Sequence, residues 1–336
     1  MLKPVTTILF WLACALLLGS CAINPVTGKQ DFVLMSEDAE LDMGRKTAPE
    51  ILREFGYYDD AALQAYVQRV GAELAAHSHR TNLVYRFTVL DSTDVNAFAL
   101  PGGYIYITRG LLAYLNSEAQ LAAVLGHEIG HVTARHSVQQ QSAAQAADIG
   151  FALGSILLPG LDNPGAQQLF GTLGTALLAG YGREHELEAD RLGAEYMARS
   201  GYSPHEIIAV IGVLKDQDTF SKQLAAEEQR EPRSYHGLFA THPDNDTRLQ
   251  QVVASAQALQ RPGATRVNQH EFLNALKGLT FGDSEREGVR RGNQFYHKDL
   301  GFALSFPVGW RVENRPDSLI ATAPQGDGLL NVSSDD

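Results

Sequence analysis

Apolar positions along the chain change period several times, and each change marks an element. Behind Ser36 the run SEDAELDMGRKTAPEILREFG opens with acidic residues, and a little further on Leu63, Tyr66, Val67, Val70 and Leu74 recur at helical spacing. Two amphipathic helices are predicted there. LVYRFTVL (83–90) and VNAFALPGGYIYIT (95–108) are instead rich in aromatic and β-branched residues, the second broken at Pro101-Gly102-Gly103. That pattern predicts a strand followed by a hairpin. Ser117-Glu118-Ala119-Gln120 has the form of a capping box, and Leu121, Val124, Leu125 and Val132 follow it at helical spacing. Further helices are predicted over 183–200, over 204–217 with Pro204 in the first turn, and over 244–260.

Two apolar stretches, 149–158 and 169–181, are short and separated by Pro159 and Asn163-Pro164-Gly165. Each falls below the roughly 20 residues that span a bilayer, so both are expected to pack as helices, with a role as cover for a cleft, or as a membrane-surface contact, left open. From about 281 the chain alternates and turns as β structure does. This segment is expected to be a small β appendage or the start of a second domain, with no room for a second sheet to close. The fold class expected is α+β, mainly helical with a small sheet, and a short β-rich segment at the C-terminal end.

The first residues differ in kind. MLKPVTTILFWLACALLLGSC carries Lys3, an apolar run from Ile8 to Leu18, and then Gly19-Ser20-Cys21, the pattern of a secretory signal. Leu18-Gly19-Ser20-Cys21 resembles a bacterial lipobox, which implies cleavage before Cys21 and lipidation of its sulfur. The chain has two cysteines, Cys14 and Cys21, so no disulfide framework survives that cleavage. Ala22 after the cysteine implies, by the same resemblance, release to the outer membrane, where more than one acyl chain gives stable anchoring. Residues 22–30 (AINPVTGKQ) read as a tether and turn. The expected organisation is a signal over 1–20, a tether over 21–35, a main domain over 36–280 and the β-rich segment over 281–336.

Composition narrows the function classes. The net charge is −12 over 336 residues, with no Lys/Arg-rich run, so nucleic-acid binding has little electrostatic support.

The chemistry lies in LAAVLGHEIGHVTARH, residues 121–136. His127-Glu128-Ile129-Gly130-His131 is H-E-x-x-H, a helix-borne zinc motif. On a helix, residues four apart differ by about 40° in azimuth, so both imidazoles can reach one ion at about 2.0–2.1 Å. Glu128 stands about 100° from His127, off the two-histidine face, where it can take a proton from a zinc-acidified water and pass it to a leaving amine. His136 falls one residue short of the H-E-x-x-H-x-x-G-x-x-H pattern, with Ala134 where that pattern needs glycine. On a continuing helix it would point about 140° from His131, so it is expected at the surface or behind a ligand rather than on the ion.

A third ligand is sought in GREHELEADRLGAEYM (182–197), where Glu184, Glu186, Glu188 and Asp190 crowd one helix. Glu186 and Asp190 share a face, so one could bind the ion while the other orients a ligand histidine. Spacing alone leaves Glu184, Glu186 and Glu188 open.

H-E-x-x-H on one helix and E-x-x-A-D on a later one, with NAFALPGGYIYITRGLL and NPVTG before them, resembles the gluzincin family of CAAX-prenyl proteases and heat-shock-type membrane proteases. Within it, the chain is most similar to the soluble periplasmic, β-barrel-assembly-enhancing branch, over about residues 22–260. The resemblance implies a zincin-type domain with one zinc ion held by His127, His131 and Glu186, catalysis by Glu128, and Asp190 behind a ligand. THPDNDTRL also matches, which implies His242 and Arg248 near the cleft, as an oxyanion donor or as a regulator of the open metal position. Ordinary turn chemistry accounts for His-Pro there equally well. Asn96, Ala97 and Phe98 would lie on an edge strand to which an extended substrate adds by main-chain hydrogen bonds. The helical repeats that this branch often carries do not follow residue 260, so specificity residing in them does not transfer.

The leading expectation is a zinc endopeptidase held by Cys21 on the periplasmic face of the outer membrane, cutting envelope proteins or peptides. A chaperone-like assembly factor with a mostly closed zinc site is the second reading. A di-metal carboxylate oxidase needs two Glu-x-x-His pairs, and only Glu128-x-x-His131 is present.

Overall fold

The computed structural model describes residues 21–157, 182–227, 253–254, 256–260, 262–283, 288–314 and 318–333. Residues 22–30, expected as a tether and turn, form part of a hairpin of β1 (Cys21–Ile23) and β2 (Gln30–Phe32). Asn24 closes its turn by accepting from the amides of Val26 and Thr27 and donating to Asp31. The two amphipathic helices follow as α1 (Glu37–Phe55), capped by Ser36, and α2 (Ala61–Ala75), capped by Asp60. Both caps accept amide protons that a helix start leaves without partners. The α2 face carrying Leu63, Val67, Val70 and Leu74 is buried, as their spacing requires.

The sheet is small and mixed. β3 (Arg86–Leu90) runs parallel to β5 (Tyr104–Thr108), and β4 (Ala97–Leu100) pairs with β5 as an antiparallel hairpin partner. Gly102 and Gly103, at φ 82° and 87°, make the turn that the sequence break marks. β5 is therefore central, and β4 is an edge. A short helix α3 (Arg109–Leu112) leaves β5 directly.

The helix expected from the capping box is α4 (Glu118–Thr133). Ser117 Oγ accepts from the Gln120 amide, and Gln120 Oε1 accepts from the Asn116 amide. Every residue of α4 is buried. At about 1.5–3 kcal/mol for each fully buried large aliphatic side chain, Leu121, Leu125 and Ile129 alone anchor it strongly. α5 (His136–Leu157) follows after a sharp corner, then α6 (Arg183–Arg199) and α7 (Glu206–Glu227). α6 packs on α4 so closely that a Cβ placed on Gly130 would stand 2.9 Å from the Ala189 carbonyl oxygen, and one on Gly193 would stand 2.9 Å from the His127 amide nitrogen. Only hydrogen fits at those positions. Residues 149–157 continue α5 as helix, as expected, while 158 and 169–181 lie outside the described residues, as does most of the helix expected over 244–260. Among the described residues, no helix is long and apolar enough to cross a membrane.

Two buried polar groups tie this frame together. Glu118, in the first turn of α4, accepts from Tyr66, Arg69, Tyr202 and Asn268. Glu40 of α1 accepts from Arg80 at 2.6 Å and from Arg135 at 2.8 Å, while Arg80 also donates to the Val132 carbonyl at the end of α4. α8 (Gln269–Ala275) closes the α4 core with Phe272.

The C-terminal region corrects one expectation. It holds two three-stranded antiparallel sheets: β6 (Val289–Arg291), β7 (Gln294–His297) and β8 (Phe302–Ser305), then β9 (Arg311–Asn314), β10 (Ser318–Thr322) and β11 (Leu329–Ser333). A second sheet does form, because strands of three to five residues suffice when both sheets pack on one cluster of Phe295, Phe306, Val312, Leu319 and Ala321. The whole is α+β, as its sequence implied.

Candidate metal centre

α4 and α6 meet at one point. His127 and His131 project from α4 one helical turn apart, with Nε2 atoms 3.0 Å from each other. Glu186, in the first turn of α6, brings Oε2 to 3.6 Å from His127 Nε2 and Oε1 to 3.4 Å from His131 Nε2. A tetrahedral zinc ion with bonds of about 2.0–2.1 Å separates its ligand atoms by about 3.3 Å, and these edges bracket that value. All three residues are buried, and among the described residues theirs is the one such group of metal-type donors. Two imidazoles and a carboxylate converging on one buried point are a donor set that suits a divalent cation. The residues present fit the metal.

The far sides of the two imidazoles are held differently. His127 Nδ1 lies 2.8 Å from Asp190 Oδ1, one turn after Glu186 on α6, so its proton is held there and Nε2 keeps its lone pair for a metal. His131 Nδ1 instead lies 2.9 Å from Nδ1 of His136. His136 takes the second of its two expected places, behind a ligand, although α4 does not continue through it. The helix ends at Thr133, Arg135 takes a left-handed φ of 59°, and α5 begins at His136. The corner turns His136 inward, wholly buried, and outside the donor group. Its Nε2 is 3.3 Å from Glu188 Oε2, and the His185 ring stacks on it at 4.2 Å. The hydrogen bond from His136 holds the Glu188 carboxyl below the usual carboxylate range, and burial lowers His185. Nothing in the residue spacing marks His136, His185 and Glu188 as neighbours, since a non-glycine left-handed residue leaves no motif.

Glu128 is buried beside His127 on α4, and Asp190 on α6 faces the far nitrogen of His127. Ala97 and Phe98 lie on the edge strand β4, with Asn96 just before it, its backbone bonded to Thr108. β4 packs against α4. Cys21 opens β1. His242 and Arg248 lie outside the described residues.

A helix-borne H-E-x-x-H joined to a glutamate from a second helix defines a metallopeptidase of the gluzincin class. The chain matches Peptidase family M48 over residues 61–256 and belongs to that family. It is 30% identical over 260 residues to the beta-barrel assembly-enhancing protease of Escherichia coli, across 75% of this chain and 50% of the relative. The protein of that name from Yersinia pestis is 30% identical over 271 residues, across 78% and 53%. The mitochondrial metalloendopeptidase OMA1 of Schizosaccharomyces pombe is 28% identical over 233 residues, across 68% and 64%. The chain thus spans about half the length of the assembly-enhancing proteases it matches.

Proposed function

We propose that this metallopeptidase binds one zinc ion through His127, His131 and Glu186 and hydrolyses peptide bonds of envelope proteins, with Glu128 as general base. The observation that carries the reading is the convergence of those three buried donors between α4 and α6, with Glu128 on the same helix as both histidines. A bound zinc ion supplies Lewis acidity, lowering the pKa of water toward about 7 and polarising a carbonyl. Glu128 removes the proton of the attacking water and delivers it to the leaving amine, a role worth typically 10²–10⁴-fold in rate. Asp190 fixes the tautomer of His127.

Substrate is taken in extended form along β4, whose pairing to β5 uses one edge only among the described strands. The name of the bacterial relatives supports substrates in the cell envelope, and the lipobox-like Leu18-Gly19-Ser20-Cys21 supports an outer-membrane anchor on Cys21 facing the periplasm. His242 and Arg248 are assigned to the cleft by motif alone.

The test is cleavage of casein by the purified protein. Activity is expected to vanish on chelation, to return with zinc, and to fall by about 10²–10⁴-fold in Glu128→Gln while zinc stays bound. Cleavage that survives the chelator, or equals wild type in Glu128→Gln, overturns the assignment.

A further inference from the structure

The structure assigns His136 and Glu188 as a positioning relay that holds the ligand His131 in the tautomer and orientation a metal requires. The inference rests on the zinc reading of His127, His131 and Glu186 and extends it to residues outside the donor set.

The proton count leads to it. His131 turns Nε2 toward His127 and Glu186, so a metal there takes the Nε2 lone pair. A neutral imidazole carries one N–H, and it must then sit on Nδ1. The group facing Nδ1 at 2.9 Å is Nδ1 of His136, which can accept only if its own proton is on Nε2. His136 Nε2 faces a carboxylate oxygen of Glu188 at 3.3 Å, an acceptor and nothing else when ionised. Each assignment forces the next. The chain runs from His131 Nδ1–H to His136 Nδ1, and from His136 Nε2–H to Glu188, with every group in the one state its neighbour allows. His185, stacked on the His136 ring at 4.2 Å, keeps the ring in plane for both bonds.

The two ligand histidines are therefore backed unequally. His127 is held directly by a carboxylate, whereas His131 is held by an imidazole that a carboxylate holds in turn. α6 supplies all three carboxylates, Glu186 to the metal, Asp190 behind His127 and Glu188 behind His136. One short helix thus sets the ligand, its partner's tautomer and the relay.

The experiment measures zinc affinity of the full chain by chelator competition, and the visible spectrum of the cobalt-substituted protein, for wild type, His127→Ala, His136→Phe, His136→Asn and Glu188→Gln. His136→Phe keeps a ring and loses both bonds. It is expected to bind zinc about 10- to 100-fold more weakly and to shift the cobalt bands. His136→Asn retains an acceptor for His131 and is expected to recover most of the affinity. Glu188→Gln, which still accepts, is expected to fall between. The melting of the metal-free proteins separates positioning from folding: the relay requires metal-free His136→Phe to melt within a few degrees of metal-free wild type. Wild-type affinity and an unshifted cobalt spectrum in His136→Phe overturn the relay, as does an affinity loss in Asn equal to that in Phe. So does a metal-free His136→Phe that no longer folds. Should wild type bind no more zinc than His127→Ala, the metal reading itself fails, a result distinct from failure of the relay.

Discussion

The α4–α6 pair and the C-terminal strands are stabilised on opposite terms. α4 buries every residue from Glu118 to Thr133, and α6 approaches it to backbone contact at Gly126, Gly130 and Gly193. The two C-terminal sheets share a cluster of five buried side chains and leave Leu300, Val308 and Leu329 exposed. The family match over 61–256 covers the first region and stops before the second. Where ligand atoms must meet within a few tenths of an ångström, the chain uses backbone contact and buried polar ties. Where only a folded surface is needed, a few aromatic and aliphatic side chains suffice.

That contrast can be broken from either side. Phe295→Ala removes the ring on which Phe302 and Gly288 pack, at a cost of about 3–5 kcal/mol. Limited proteolysis is expected to cut within 288–333, while zinc affinity and casein cleavage stay at wild-type levels; loss of zinc would show that the regions are coupled. Gly193→Ala sets a methyl 2.9 Å from the His127 amide and 3.1 Å from the Gly126 carbonyl carbon, so the helices must part. An overpacking cost of about 1–3 kcal/mol is expected, with a fall in zinc affinity that calorimetry reads directly. Gly212→Ala in α7, where nothing lies within 4 Å, is the control and should stabilise slightly.

A further effect concerns pH. Burial alone would raise the Glu118 carboxyl, yet the bonds from Arg69, Tyr66, Tyr202 and Asn268 bring it from 4.5 to about 2. A depressed folded-state value means that its contribution is fully present above pH 4.5 and is lost as the pH falls toward 2. Denaturation midpoints followed from pH 6 to pH 2.5 should decline, and Glu118→Gln should flatten that decline by on the order of 2 kcal/mol. An equal slope in wild type and variant would remove Glu118 as the acid-sensitive tie of the catalytic helix.

What could be read in the sequence follows the range of each interaction. α4, its cap and the two histidines are local, carried by spacing within one helix. Edge strand β4 and its hairpin are nearly local, marked by the Pro-Gly-Gly turn. Glu186 was open among three glutamates on spacing, and only the family resemblance chose it; the structure brings Glu186 to the histidines and Glu188 to His136. The His136 position depends on a corner at Arg135 that no turn residue announces, and that corner is held by Glu40 and by the Met35 carbonyl, about 100 residues upstream. The second C-terminal sheet was missed because its strands are short and their core is shared. His242 and Arg248 rest on motif alone.

Arg135 also shows how a corner can be worth its strain. A left-handed backbone costs a residue with a Cβ roughly 1–2 kcal/mol, which glycine would not incur. A glycine there, however, would have no guanidinium to reach Glu40, and the buried carboxylate would keep Arg80 alone. The position trades local backbone comfort for a long-range clamp, so the angle between α4 and α5 is governed from α1. A residue in the first turn of the first helix thereby has a hand in aiming an imidazole at a metal it never approaches.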